Sequence, residues 1–413
     1  MSSQSQRRLN PRSVEPKGRP VGGTEYSWCR AVPGGTGIGV LALLVSKAPD
    51  ISRLQNAINK LQNFHPILKA RLIHSTTTAS FITSPAPFVQ IKSFTFPSTS
   101  SFLECLSSTP DISPFQIVVE HELNQNSWSS SCSNTTDMLL FATIYALPNT
   151  EWVVVLRLHV SVCDRTTAVS LLRELLVLMC EEEGEKEMGN QGGEVSLGIE
   201  DLIPRGKGCK SRGIKLCGAL VAAGLTAAYT SKRRADNQGK KYGVTTLIDC
   251  RSILAPPLSS HHFGFYHSAI LNTHVMKGGE KLWELARKTY MAFANSKKRN
   301  KHLADMADLN FLMCKAIENP SLTASSSLRT SFMSVFEDPV IDDHDRPATD
   351  QVGLEDYMGC ASVHGVGPSI AIFDTIRDGR LDCVCVYPAP LHSREQMQEL
   401  VDTMKAVLVD CGT

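Results

Sequence analysis

The sequence predicts an α/β protein of two lobes of similar size, each with strands and helices. Three observations predict it. At 413 residues the chain is longer than one core usually needs and suits two domains. Strand-like and helix-like stretches occur in both halves, with no short repeat. Between them, residues 181–198 lose their apolar periodicity and turn acidic and glycine-rich, as a surface crossover would. The hydrophobic content, 42%, is that of a soluble globular chain. Forty-two basic against 41 acidic side chains leave a net charge of +1. That balance argues against nucleic acid or anionic lipid as a partner, since phosphate binding needs surplus Lys and Arg on one face.

Taken in order, residues 1–22 are polar, with almost nothing to bury, and read as disordered. Thr24 to Val45 alternates short apolar runs around Pro33-Gly34-Gly35, which predicts two strands and a tight connection. Asp50 caps a helix whose Ile51, Leu54, Ile58, Leu61 and Phe64 keep the helical period. Strands are expected at 79–83, 88–91, 116–120, 138–147 and 152–160. The last, Trp-Val-Val-Val-Leu-Arg-Leu-His-Val, is apolar almost throughout, as a strand covered on both faces would be. A strong helix follows at 166–179. After the crossover come a small-residue helix at 214–229, strands at 242–248 and 265–272, and a helix at 280–294. Strands at 331–336, 357–364, 369–377 and 381–387 precede a closing amphipathic helix at 394–409. The expected division is a terminus at 1–22, an N-terminal lobe at 23–180, a linker at 181–210 and a C-terminal lobe at 211–413.

Other classes find little support. The N-terminus has basic residues but no apolar run of signal-peptide type, and no stretch reaches the ~20 apolar residues of a membrane span. Thirteen cysteines are scattered without CxxC pairs, and Cys383-Val-Cys385 suits alternate strand positions better than zinc ligands. Reduced thiols in a cytoplasmic protein are expected. There is no HExxH motif and no phosphate loop ending in GK[ST], so neither a metal nor a redox cofactor is expected. His261-His262 has no acidic or cysteine neighbour in sequence and reads as a loop feature.

One local pattern carries chemistry. The buried strand ends in Leu158-His159-Val160-Ser161-Val162-Cys163-Asp164-Arg165, and a helix begins at once. A histidine at a strand end, followed by an aspartate at a helix start, suits acyl transfer. The imidazole would take a proton from a hydroxyl or amine while the aspartate fixes the loop. Spacing alone leaves the plainer alternative open: a hydrogen-bonded core histidine and an ordinary N-cap.

Several segments together resemble the condensation-domain and HxxxD-type acyltransferase superfamily, which has the chloramphenicol-acetyltransferase-like fold. They run in family order: Arg19 to Glu25, resembling an opening strand; Phe64-His65-Pro66-Ile67-Leu68-Lys69-Ala70-Arg71-Leu72; Leu158 to Arg165, resembling the HHxxxDG signature; Ile248-Asp249-Cys250-Arg251 with Pro256-Pro257; Gly264 to Ile270; Lys281 to Arg287; and His364-Gly365-Val366-Gly367-Pro368-Ser369 through Leu381. The similarity covers nearly the whole chain and is nearest to a plant branch of the family. It implies two lobes, each of mixed sheet plus helices, with a tunnel between them. An acyl thioester, on coenzyme A or a carrier protein, would enter from one side and a small-molecule acceptor from the other. It also implies that Asp164 is structural and paired with Arg251, with Arg251, Ser362 and Ser369 near the substrate.

Two departures follow from the same comparison. With Asp164 aligned to the family aspartate, the general-base position is Val160, and His159 lies on the opposite strand face. His159 is the expected base if the strand end twists, and His364 beside its glycine turn is the alternative. A binding scaffold without transferase chemistry is the third reading. The second departure is length: Ile203-Pro204-Arg205-Gly206-Lys207 runs almost directly into Gly208-Cys209-Lys210, like an internal deletion.

Overall fold

The computed structural model describes residues 18–75, 78–106, 112–129, 137–180, 213–231, 240–320, 329–334, 340–341, 345–377, 380–389 and 391–410. The residues expected to form a crossover, 181–198, and the 203–210 segment expected to be shortened lie outside the described residues. Thirteen strands are described: β1 Gly18–Pro20, β2 Thr36–Val45, β3 Ala70–His74, β4 Ala79–Thr83, β5 Ile91–Phe94, β6 Leu140–Ala146, β7 Trp152–His159, β8 Lys240–Asp249, β9 His267–Met276, β10 Arg329–Ser334, β11 Leu354–Val363, β12 Ile370–Arg377 and β13 Arg380–Val386. The described helices are α1 Gly23–Ala31, α2 Ile51–Phe64, α3 Phe96–Leu106, α4 Pro114–Asn124, α5 Arg165–Cys180, α6 Leu216–Thr230, α7 Leu282–Lys298, α8 Lys301–Ala304, α9 Met306–Glu318, α10 Arg346–Val352 and α11 Arg394–Asp410. None of them is long and apolar enough to cross a membrane.

Two five-stranded mixed sheets carry the fold, ordered β11-β2-β7-β6-β5 and β13-β12-β10-β8-β9, with a small β1-β4-β3 sheet beside them. In the first, β2 and β7 are central and antiparallel, with Ile38 opposite His159 and Val45 opposite Trp152. Their apolar runs are buried along both faces, because α2 and α5 cover one side and α3 and α4 the other. In the second, α6, α7 and α11 pack on the sheet around Leu220, Leu285 and Leu400. The glycine at 218 has a reason here: a Cβ would come within 2.8 Å of Ala286 O and Tyr290 Cβ, so the α6–α7 approach needs its absence.

Five expectations need correction. Residues 23–31 form a helix, not a strand. Its buried positions, Glu25, Ser27, Cys29 and Ala31, alternate because α1 is covered on more than one side, and that alternation mimics a strand. Arg19 also holds Glu25 through two hydrogen bonds of 2.7 and 2.6 Å, so residues 18–22 are tied to the body. Residues 116–120 belong to α4. The Ser113 cap on Gln116 N and Pro114 in the first turn start a helix, and they override the β-branched Ile-Val-Val run. The strand expected at 88–91 is instead 91–94. Finally, β11 comes from the second half of the chain but pairs with β2 across ten residues, Leu354 opposite Val45 and Val363 opposite Thr36. The 211–413 segment therefore completes the first sheet as well as building its own.

Candidate functional site between the two sheets

A cavity of about 100 Å³ lies between the sheets. Its walls come from β2 (Thr36 to Leu41), the β7 end (Leu158, Val160), the start of α5, β11 (Gly359 to Val363), and Leu247, Phe265 and Phe373 from the other side. Gly37 and Gly39 leave the β2 surface low. Gly37 is at φ +90°, and a Cβ there would meet Val160 Cγ1 at 2.6 Å, so glycine is required both by conformation and by contact. The lining is dominated by apolar side chains, with Trp28 beside Phe265 at one end.

Asp164, itself part of the lining, is the electrostatic centre of this wall. Its carboxylate accepts from Thr167 N (2.8 Å), Tyr266 N (2.7 Å) and Arg251 Nη2 (3.0 Å). Arg251 Nη1 lies 2.9 Å from its second oxygen and His267 Nδ1 3.0 Å from the same oxygen. Burial alone would raise this carboxyl, but His267 and then Arg251 outweigh it and hold the group well below the usual carboxylate range. The charge thus stays on Asp164, and the group serves to join α5 to the segment before β9. Arg251, expected near the substrate, does not line the cavity. Its fork goes to Asp164, Asp249, Thr167 and the His262 carbonyl. His267 was not anticipated; the sequence placed it inside the strand expected at 265–272, whereas it heads β9.

The expected bases sit elsewhere. Among the described residues, the cavity wall contains no histidine. Val160 lines it, and His159 points away, as period-two alternation requires at an untwisted strand end. The His159 ring is buried edge-on against Trp128, and its Nδ1 accepts from Ser161 N at 3.3 Å and lies 2.7 Å from Ser161 Oγ. Burial pushes the imidazole down to about 3. His159 as the tunnel base is therefore corrected: it is a packed core histidine. His364 is also outside the wall; its Cβ lies where a Cβ on Gly35 would be only 3.0 Å away. Ser369 is not in the lining either, although its neighbour Pro368 is.

Ser362 does line the cavity, but its hydroxyl is already engaged. It donates to Gly35 O at 2.7 Å and accepts from Ile38 N at 2.9 Å, which clips β11 to β2 where their register shifts. The Cys163 thiol also borders the cavity, and burial pushes it up, away from thiolate chemistry. Thr36 is different. Its Oγ1 is buried and finds no hydrogen-bond partner among the described residues. No group of three or more metal-binding side chains occurs among the described residues.

A scan against protein-family models gave no match, and a search of curated proteins gave none. Solved structures do match. Polyketide synthase associated protein 5 from Mycobacterium tuberculosis aligns over 94% of this chain and 97% of its own, at TM-score 0.60 and 12% identity. The first condensation domain of the calcium-dependent antibiotic synthetase, in complex with a substrate analogue, aligns over 96% and 98%, at TM-score 0.61 and 12% identity. The epimerization domain from the third module of tyrocidine synthetase B aligns over 97% and 98%, at TM-score 0.59 and 9% identity. At such identities the likeness establishes the fold: condensation-domain, chloramphenicol-acetyltransferase-like.

Proposed function

We propose that this chain is an acyl-binding protein built on an acyltransferase fold, and that it holds the acyl group of a thioester between its sheets without a general base to transfer it. One observation carries the reading: Val160, not an imidazole, faces the cavity at the place the signature reserves for the base. The apolar wall suits an acyl chain. A positioned base supplies about 10²- to 10⁴-fold in rate, so its loss separates binding from turnover. The Asp164–Arg251 pair is intact because it holds α5 and the cavity wall together whether or not transfer occurs.

Transfer of an acyl group from coenzyme A or a carrier protein to a hydroxyl or amine is the competing reading, and it rests on the fold. Calorimetry with acyl-coenzyme A thioethers, which cannot turn over, measures binding alone. Chromatographic release of coenzyme A from the matching thioesters measures transfer without interference from the chain's 13 cysteines. The proposal expects binding, no release above background, and a gain of release in Val160→His. Robust release by the wild type would establish the transferase instead.

A further inference from the structure

The residue after Asp164 is an arginine that spans the cavity's far end. The Arg165 side chain leaves the first turn of α5 and lies in the cavity wall. Its Nη1 donates to Gly359 O (3.3 Å) on β11, in the first sheet. Its Nη2 donates to Asp374 O (2.6 Å) and Thr375 Oγ1 (2.9 Å) on β12, in the second sheet. One guanidinium thus fastens both sheets. Gly359 makes room for it, since a Cβ there would stand 3.1 Å from Nη1.

The β2–β11 register gives this contact a direction. Gly359 is opposite Leu41 and Val363 is opposite Thr36. Five residues of strand, at ~3.4 Å each, put roughly 17 Å between the Thr36 end and the Arg165 end. The lining residues of β2 and β11 fill that interval. A ligand whose carbonyl lies beside Val160, which packs on Gly37 at the Thr36 end, would extend its apolar tail toward Arg165.

We infer that Arg165 is the end wall of the acyl chamber and sets the longest chain the protein accepts; this rests on the acyl-binding reading above. A tail that passes this point must displace a buried cation from Gly359 O, Asp374 O and Thr375 Oγ1, in a place where water does not replace those partners. Up to the wall, each added methylene buries apolar surface and raises affinity about fourfold. Beyond it the gain stops and reverses.

The test is calorimetric titration of the full chain with saturated acyl-coenzyme A thioethers from acetyl to palmitoyl, each below its micellar concentration. Wild type should tighten with length, then break sharply. Arg165→Gly should keep short-chain affinity and move the break to longer chains, by about tenfold or more in affinity at the first excluded length. Thr375→Val, which removes one tether and leaves the arginine, should blunt the break, and it stands in if the glycine variant does not fold. An unbroken rise in wild type, or a break that stays put in both variants while short chains still bind, overturns the end-wall assignment alone. No binding of any thioether to any protein overturns the acyl-binding reading and this inference with it.

Discussion

Asp164 Oδ2 lies 2.9 Å from Arg251 Nη1, and neither side chain is more than 3% exposed. The two come from different halves of the chain and meet behind the cavity, where Tyr266 N and Thr167 N complete the carboxylate's shell. This contact, rather than one through His159, ties residues 158–165 to the other half of the chain.

Removing one partner from such a pair leaves the other buried and uncompensated, at about 3–5 kcal/mol. Asp164→Ala should therefore lower the free energy of unfolding by that order in a denaturant titration. Arg251→Lys should recover only part of it, because one ammonium cannot reach Asp164, Asp249 and the His262 carbonyl together. A melting curve indistinguishable from wild type would dispose of the pairing as a stabilising contact.

The same carboxyl sets an acid limit. Its pKa is depressed in the folded chain, so its stabilisation is fully present above the ordinary aspartate value and is lost as pH falls below about 4. Denaturant midpoints followed downward through that range should drop steeply in wild type. In Asp164→Asn the corresponding step should be missing.

His159 gives a second step in a different window. It is held neutral by burial, with a pKa near 3 against an ordinary value of 6.5. The unfolded chain binds a proton below 6.5 and the folded chain does not, so stability falls as pH drops from about 6.5 toward 3. His159→Gln should flatten the profile between those limits and leave ligand affinity unchanged. Loss of affinity in that variant would return His159 to the site.

Much of this was legible in the sequence for physical reasons that can be named. β7 declared itself through an unbroken apolar run, α2 through Asp50 and its period, and α5 through its leucine stripe; the structure differs there by a residue or so. The failures came where burial did not follow the local pattern. α1 is covered on more than one side and so alternates like a strand, and α4 hides helical spacing (Phe115, Val118, Val119, Glu122) under β-branched residues. At the site, strand alternation already placed His159 and Val160 on opposite faces, and the expected twist did not occur. Arg165 and Thr36 left no local signal. Their neighbours come from β11 and β12, some two to three hundred residues away, and only the paired sheets bring them together.

Thr36 offers the sharpest separation between stability and binding. Its hydroxyl is buried without a hydrogen-bond partner among the described residues, and a group left in that state costs about 1–3 kcal/mol. Valine has nearly the same shape and no polar atom, so Thr36→Val should stabilise the free protein by about 1 kcal/mol or more. The oxygen has essentially no accessible surface and lies by the Gly365 turn, off the cavity lining, so the same change should leave ligand affinity unchanged. The expected result is therefore a higher unfolding midpoint with unchanged binding of acyl-coenzyme A thioethers. A stabilised variant with clearly weaker binding would instead bring the hydroxyl into the site. A destabilised variant would mean that the hydroxyl already has a partner, such as a held water, in the free protein.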